Sequence, residues 1–421
     1  MSEPHTKWQA RFFTLWTGQT FSLVGSSLVR FAVIWWLTER TGSATVLALA
    51  TLAALLPTVV LGPVMGTLID RWSRRWIMVI ADGSVAILTG VLALLYWLGA
   101  VEVWHVYLLL FLRAVGEGMH EPAMDASTTM LVPDEHLTRI AGINQARRSA
   151  SWMTGPVLGA LLMKLLPIQG VLAIDVLTAL PAIVPLLFLD VPQPVAAPQD
   201  DTSAAGRAAG GWRAVWKETL EGLRYVWGWR GLFVMFATIS LIVFFQRPAV
   251  SMLPLLVTEH FRGGPVEMGW LSGAWQTSSV LGGIVLSAWG GFRRRFTSIV
   301  VGLSIYALAS LARGLTPANA FWFVVVASIV GGMATPIFFA SFRAILQSTV
   351  PPEMQGRVFA MQSSMMMGMG PLGLVTLGPL ADVIGVQPLF VMTGAACLLV
   401  ILIWMLIPSV RNVEDGPPRP T

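Results

Sequence analysis

Long apolar runs alternate with short polar breaks along the whole chain. The runs cover about residues 12 to 37, 44 to 69, 76 to 98, 105 to 132, 141 to 166, 169 to 189, 232 to 257, 267 to 289, 297 to 314, 319 to 348, 358 to 384 and 388 to 408. Roughly 20 apolar residues carry a helix across a bilayer. The pattern therefore predicts an all-α membrane protein with twelve transmembrane helices.

The fourth run departs from the pattern and locates the chemistry. WHVYLLLFLRAVGEGMHEPAMDASTTMLV, from Trp104 to Val132, is long enough to span a bilayer yet carries Arg113, Glu117, His120, Glu121 and Asp125. An ionisable group near the bilayer centre costs roughly 2.5 to 3.5 kcal/mol on insertion scales, while each leucine before Arg113 returns only about 0.5 kcal/mol. These side chains must face a wet cavity or partners on other helices. Arg113, Glu117, Glu121 and Asp125 stand four apart, so they form a winding stripe about 18 Å long, with His120 on the side of Glu117. Two readings stay open. One is a polar lock between helices. The other is an ion or substrate path in which Glu117 and Glu121 carry protons, Arg113 sets their charge and His120 is a proton site.

Composition agrees with a membrane protein: 55% of the 421 residues are hydrophobic and 12% charged, against roughly 25% charged in a soluble domain. The single cysteine, Cys397, excludes an intrachain disulfide or a cysteine metal cluster. The first run follows Trp8 to Arg11 directly, without a small-residue cleavage site, so it is expected to stay as a helix. With the N-terminus inside, the inner segments collect Lys7, Arg11, Arg71, Arg74, Arg75, Arg139, Arg147, Arg148, Arg207, Arg213, Lys217, Arg224, Arg230, Arg293, Arg294, Arg295, Arg357, Arg411 and Arg419, against Arg40, Lys164, Arg262 and Arg313 outside. That bias places both termini in the cytoplasm, and it explains the net charge of +5 without nucleic acid. The five histidines are scattered, and the sequence has neither a nucleotide-binding loop nor a hydrolytic constellation. No enzyme activity, no cofactor and no ATP-driven transport are expected.

The chain also repeats itself. A shift of 220 residues carries Thr38 and Glu39 onto Thr258 and Glu259, and Arg74 and Arg75 onto Arg294 and Arg295. A shift of 214 to 218 matches Gly118 and Pro122 with Gly332 and Pro336, VPDEHLTRI from Val132 with VPPEMQGRV from Val350, and Gly155 and Pro156 with Gly370 and Pro371. Two parallel six-helix halves follow, residues 1 to 190 and 231 to 421. Between them, 191 to 211 reads as a Pro, Ala and Gly linker, and 212 to 230 as an amphipathic helix lying on the cytoplasmic leaflet.

GTLIDRWSRR, from Gly66 to Arg75, resembles the loop motif between the second and third helices of the major facilitator superfamily, through Gly66, Leu68, Asp70, Arg71, Arg74 and Arg75. Ile69 and Ser73 depart from it. Arg113 with Gly116 and Gly118 resembles the family's fourth-helix motif, and TGPVLG from Thr154 to Gly159 its fifth-helix motif of antiporters and exporters. EPAMDASTTMLVPDEHLTRIAGINQ, IDVLTAL around Asp175, LEGLRYV and VPPEMQGRVFAMQSS extend the likeness over nearly the whole chain. The branch they resemble holds bacterial macrolide efflux proteins and the enterobactin exporter.

That resemblance implies a monomeric, multi-pass transporter of a bacterial inner membrane that moves a small-molecule substrate by alternating access. It also implies a gate. Asp70, with Gly66, Arg71, Arg74 and Arg75, would latch against the start of the eleventh helix near Gly356, Arg357 and Val358, while Gly155, Pro156 and Gly159 permit close helix contact and a bend. Arg30, Arg113, Glu117, Glu121, Asp175 and Arg247 are expected around a central cavity, with Asp125 continuing the stripe. Asp175 either couples protons or pairs with an arginine. Met361 and Met365 either form an adaptable binding wall or pack as ordinary core. The leading function is proton-coupled antiport of hydrophobic or cationic molecules such as macrolides. The alternatives are an exporter of an endogenous anionic product such as a siderophore, which Arg30, Arg113 and Arg247 would suit, and a membrane sensor that does not transport.

Overall fold

A computed structural model describes residues 6 to 189 and 222 to 416, except for the side chains of residues 6, 7, 62 to 64 and 66 to 71. The described residues form helices joined by short turns, with no strand among them. The first half contributes α1 (Thr6–Thr41), α2 (Ala44–Arg71), α3 (Arg74–Trp97), α4 (Val103–Leu131), α5 (Asp134–Leu165) and α6 (Ile168–Phe188). The second half contributes α7 (Arg230–Ser251), α8 (Pro265–Trp289), α9 (Arg295–Leu315), α10 (Phe321–Thr349), α11 (Pro352–Ile384) and α12 (Gln387–Leu406). The turns after α1 and α11 need glycine, since Gly42 and Gly385 sit at φ 57 and 85. The expected linker and most of the expected amphipathic helix, residues 190 to 221, lie outside the described residues, and 222 to 228 is helical.

Among the described residues nine helices are long and apolar enough to cross a membrane. α4 and α5 fall short because of their charges, and α8 because of its Gln, Ser, Thr and Trp residues. Large apolar side chains stand on the outside, with Ile87 68%, Leu177 63% and Val383 83% exposed. In water such a surface would be a liability; against lipid it is the solvent-facing side.

The chain divides into two compact units, Met1–Pro194 with Pro254–Gly273, and Val195–Leu253 with Ala274–Thr421. In the first, α1 packs on α5 and α6, α2 on α4, and α3 on α4 and α6. In the second, α7 packs on α11 and α12, and α9 on α10 and α12, which repeats the pairings of α1 and α3. The duplicated residues make matching contacts: Gly155 lies against Ser27 and Gly370 against Arg247, and the 220-residue shift carries Ser27 onto Arg247. Lipid tails are as apolar as leucine, so helices in a bilayer are held by close van der Waals packing at small residues. Gly18 accordingly abuts the Pro181 carbonyl, and Gly373 the Phe244 carbonyl.

The two interiors differ. The second unit holds one continuous core through Trp229, Phe236, Phe296, Phe342 and Trp404. Met361 is buried in that core and Met365 packs against it. In the first unit apolar clusters gather around Leu15 and Met78, Phe12 and Ile140, and Leu28 and Val171, and its buried residues also include Gln19, Asp82, Arg113, Asn144, Arg147 and Asp175.

Candidate functional site

The α4 stripe meets partners from four other helices. Arg113 is 3% exposed, and its Nη1 lies 2.7 Å from Asp175 Oδ2 on α6 and 2.6 Å from Thr89 Oγ1 on α3. Ser26 of α1 donates to the other Asp175 oxygen at 3.2 Å. One turn on, Glu117 sits between two guanidinium groups, with Arg30 Nη2 at 2.9 Å and Arg113 Nη2 at 3.9 Å. Arg30 also stacks on Trp152, 5.0 Å from the ring centroid. Arg148 of α5 reaches Glu121 at 3.1 Å and Asp125 at 2.7 Å. His120 faces Asp82 of α3 with Nε2 3.5 Å from Oδ2, and Gln19 Nε2 donates to that same oxygen at 2.8 Å.

Gln19, Ser26, Arg30, Asp82, Glu117, His120, Glu121, Arg148 and Trp152 line a cavity of about 380 Å³ inside the first unit, while Thr89, Arg113, Asp125 and Asp175 are not part of its lining. Its wall alternates charge with apolar surface, including Leu23, Val85, Met124 and Trp152. Pro122 lies inside α4 and lines the cavity; lacking an N–H, it leaves the Gly118 carbonyl without its helical donor. The arrangement can hold an amphiphilic molecule and exchange charge with it. Each carboxylate there is met by a cation or an amide that a proton or a bound ammonium could replace. Among the described residues no cluster could hold a metal ion.

Residues 6 to 418 match the family described as transmembrane secretion effector. The chain belongs to that family, within the major facilitator superfamily. Macrolide efflux protein A of Streptococcus pyogenes is 31% identical over 412 residues, covering 98% of this chain and 99% of the relative. Multidrug efflux pump Tap of Mycolicibacterium fortuitum is 25% identical over 399 residues, covering 93% and 94%. A crystal structure of a bacterial homologue of the human lysosomal transporter Spinster superposes with a TM-score of 0.69 at 16% identity over 100% of both chains, a likeness of fold. The relatives are transporters, and this family member is a multi-pass membrane protein.

Of the residues singled out in the sequence, the structure joins Arg30, Glu117, Arg113 and Asp175 in one run of ion pairs, brings Glu121 and Asp125 together on Arg148, and sets His120 against Asp82. Arg247 does not join them: it lies in the second unit against Gly370, and it is not a lining residue of this cavity. The helix backbone of α2 runs through Gly66, Asp70 and Arg71, but their side chains, and so the proposed Asp70 latch, lie outside the described residues. Arg74 donates to the Ala126 carbonyl of α4 at 2.9 Å, and Arg75 donates to the Leu187 carbonyl of α6. These arginines tie the turn after α2 to both neighbours. Gly155 and Gly159 bring α5 onto Ser27 and Phe31 of α1, and the Pro156 carbonyl faces Gly269. Arg357 Nη1 reaches Met354 Sδ at 3.5 Å, and its backbone carbonyl lies against Gly222.

Sequence reasoning missed Gln19, Asp82, Arg147 and Arg148 as cavity residues. The two arginines were counted as topogenic charge. Asp82 had a signal of its own, as the single acid inside the third apolar run, where a lone carboxylate is as costly as those in the fourth.

Proposed function

We propose that this family member is a secondary active efflux transporter that exchanges protons for hydrophobic or cationic small molecules, macrolide-like ones foremost. Twelve helices would cross a bacterial inner membrane with both termini in the cytoplasm, and a monomer would suffice. The observation that carries the reading is the cavity of about 380 Å³ whose carboxylates each have a replaceable partner. An ammonium entering the cavity can take the place of Arg30 beside Glu117, with its apolar body against Leu23, Val85 and Trp152. A proton arriving on the opposite side neutralises an acid and expels the cation. Alternating exposure of one site to the two sides couples the flows. Glu117, His120 and Glu121 are the groups proposed to take up protons, with Arg113, Asp125 and Asp175 setting their charge. The names of the macrolide and multidrug efflux relatives support the substrate class.

The test is substrate-dependent proton movement in proteoliposomes. Erythromycin, a macrolide with one amine, should release protons from vesicles of the correct orientation and accumulate against its gradient when a pH gradient is imposed. Erythromycin that moves no protons would overturn the cationic reading. Arg30, Arg147 and Arg148 in the same wall favour a second reading, export of an organic anion, and coupled transport of a catecholate siderophore in the same vesicles would select it.

A further inference from the structure

The acids around the cavity are not equivalent. Glu117 holds Arg30, Glu121 and Asp125 hold Arg148, and Asp175 holds Arg113. Asp82 holds no arginine. It is 9% exposed, Gln19 donates to it at 2.8 Å, and His120 Nε2 stands 3.5 Å away. Among the described residues no Lys or Arg nitrogen comes within 4.0 Å of it. An amide is neutral, and a buried carboxylate without a counter-charge bears a heavy desolvation cost. The compensation must come from a proton, carried by the carboxylate itself or by His120, since imidazole is charged only when it carries one. The other acids are balanced by guanidinium groups that never lose theirs. For Asp82 the balance is itself a proton count.

The surroundings set how many protons the pair exchanges. Gln19 of α1 donates to it, and the cavity it lines is also lined by Glu117 and Glu121 of α4, Arg147 and Arg148 of α5, and Thr58 of α2. On α6, Asp175 is engaged with Arg113. Arg147 is 7% exposed, its Nε has no hydrogen-bond partner, and it lines the same cavity as the pair. A guanidinium there opposes a second proton on the pair and makes the proton-free, singly negative pair tolerable. Exchange therefore runs between no proton and one, held on Asp82 Oδ2 or His120 Nε2.

We propose that Asp82 and His120, positioned by Gln19, are the shared proton-carrying site of this transporter, while Glu117 and Glu121 stay ionised against their arginines through the cycle. The inference rests on the proton-coupled reading above, keeps His120 as a proton carrier, and puts Asp82 in the place that reading gave to Glu117 and Glu121. The proton is taken from water on one side of the membrane and given to water on the other, and no other bond changes.

The deciding measurement is the infrared pH-difference spectrum of the purified protein in lipid nanodiscs, with no substrate present. The carboxylic-acid band that grows as pH falls should vanish in Asp82→Asn, shift in His120→Gln and survive in Glu117→Gln and Glu121→Gln. A band that persists in folded Asp82→Asn, or that disappears in Glu121→Gln, overturns the proposal. Should Asp82→Asn elute as aggregate, nitrogen-15 histidine spectra of the wild-type protein decide instead. The His120 resonance, assigned by its loss in His120→Gln, should titrate in step with the band, and independent titration overturns the pairing. In vesicles, Asp82→Asn should lower erythromycin accumulation at least tenfold, to the level seen without a pH gradient. Wild-type vesicles that never couple erythromycin to protons would sink the proposed function, while the spectra would still decide whether this pair titrates together.

Discussion

Asp175→Asn removes one charge of the pair that joins α4 to α6. Arg113 is left 3% exposed, with Thr89 at 2.6 Å and Glu117 at 3.9 Å as its remaining support. Deleting one partner of a buried ion pair costs roughly 3 to 5 kcal/mol, because the other charge stays buried without compensation. Glu117 supplies part of that compensation, so the expected cost is about 3 kcal/mol. At roughly 2 to 4 °C per kcal/mol for a unit of this size, the apparent Tm should fall by about 6 to 12 °C. Fluorescence-detected size exclusion after heating reads this directly. Removing both charges is cheaper than removing one, so Arg113→Gln with Asp175→Asn should recover more than half of the loss. An Asp175→Asn protein within about 1 kcal/mol of wild type, roughly 3 °C, would refute the lock, as would a double variant whose loss equals the sum of the singles. The same result bears on function, because Asp175 can either hold α6 to α4 permanently or trade its charge for a proton during the cycle.

Three further outcomes are expected. Glu117→Gln removes the counter-charge that a cationic substrate would use, and should raise the KM for erythromycin about tenfold, worth roughly 1.4 kcal/mol, while leaving a neutral macrolide analogue unaffected in a competition assay. On α11, Gly373→Ala pushes a methyl into the Phe244 carbonyl, which is backbone and cannot turn away; it should destabilise by about 1 to 3 kcal/mol. Gly368→Ala on the same helix meets nothing within 4 Å and should be neutral or gain up to about 1 kcal/mol, with heated size exclusion ranking the two. Cys397 is buried, so maleimide should label it only after denaturation, and labelling of the folded protein would contradict its packing against the second unit's core.

What could be read from the chain alone followed from one-dimensional spacing. Apolar run length located helices, and the four-residue period put Arg113, Glu117, Glu121 and Asp125 on one side of α4. Period says nothing about what stands opposite. Asp175 is 62 positions from Arg113, and spacing left its pairing and its protonation equally open until α3 and α6 were placed beside α4. Arg148 shows the opposite error. Its place near the inner end of a helix satisfied the positive-inside pattern, which hid its contact with Glu121 and Asp125. Charge counting assigns a side of the membrane, but it does not distinguish a side chain that reaches water from one that turns into a cavity.

The repeat does not carry the charged stripe of α4 into the second unit. Carried forward by 214 residues, Arg113, Glu117, His120, Glu121 and Asp125 fall on Ala327, Gly331, Ala334, Thr335 and Phe339 of α10. The pairings of α9 with α10 and α12 repeat those of α3 with α4 and α6, yet none of these matched residues carries a charge. At these positions this side is apolar or neutral, and it holds the continuous core of Phe236, Phe338, Phe342 and Trp404. Its buried Arg313 is held over the Trp275 ring at 4.5 Å, with no carboxylate within 4.0 Å among the described residues. Duplication preserved helix pairing because small residues at the contacts enforce it. Charge is free to diverge, since any acid placed inside a bilayer persists only where a cation or a function keeps it. The first unit retains both kinds: acids held by arginines, and Asp82, which has Gln19 and His120 beside it.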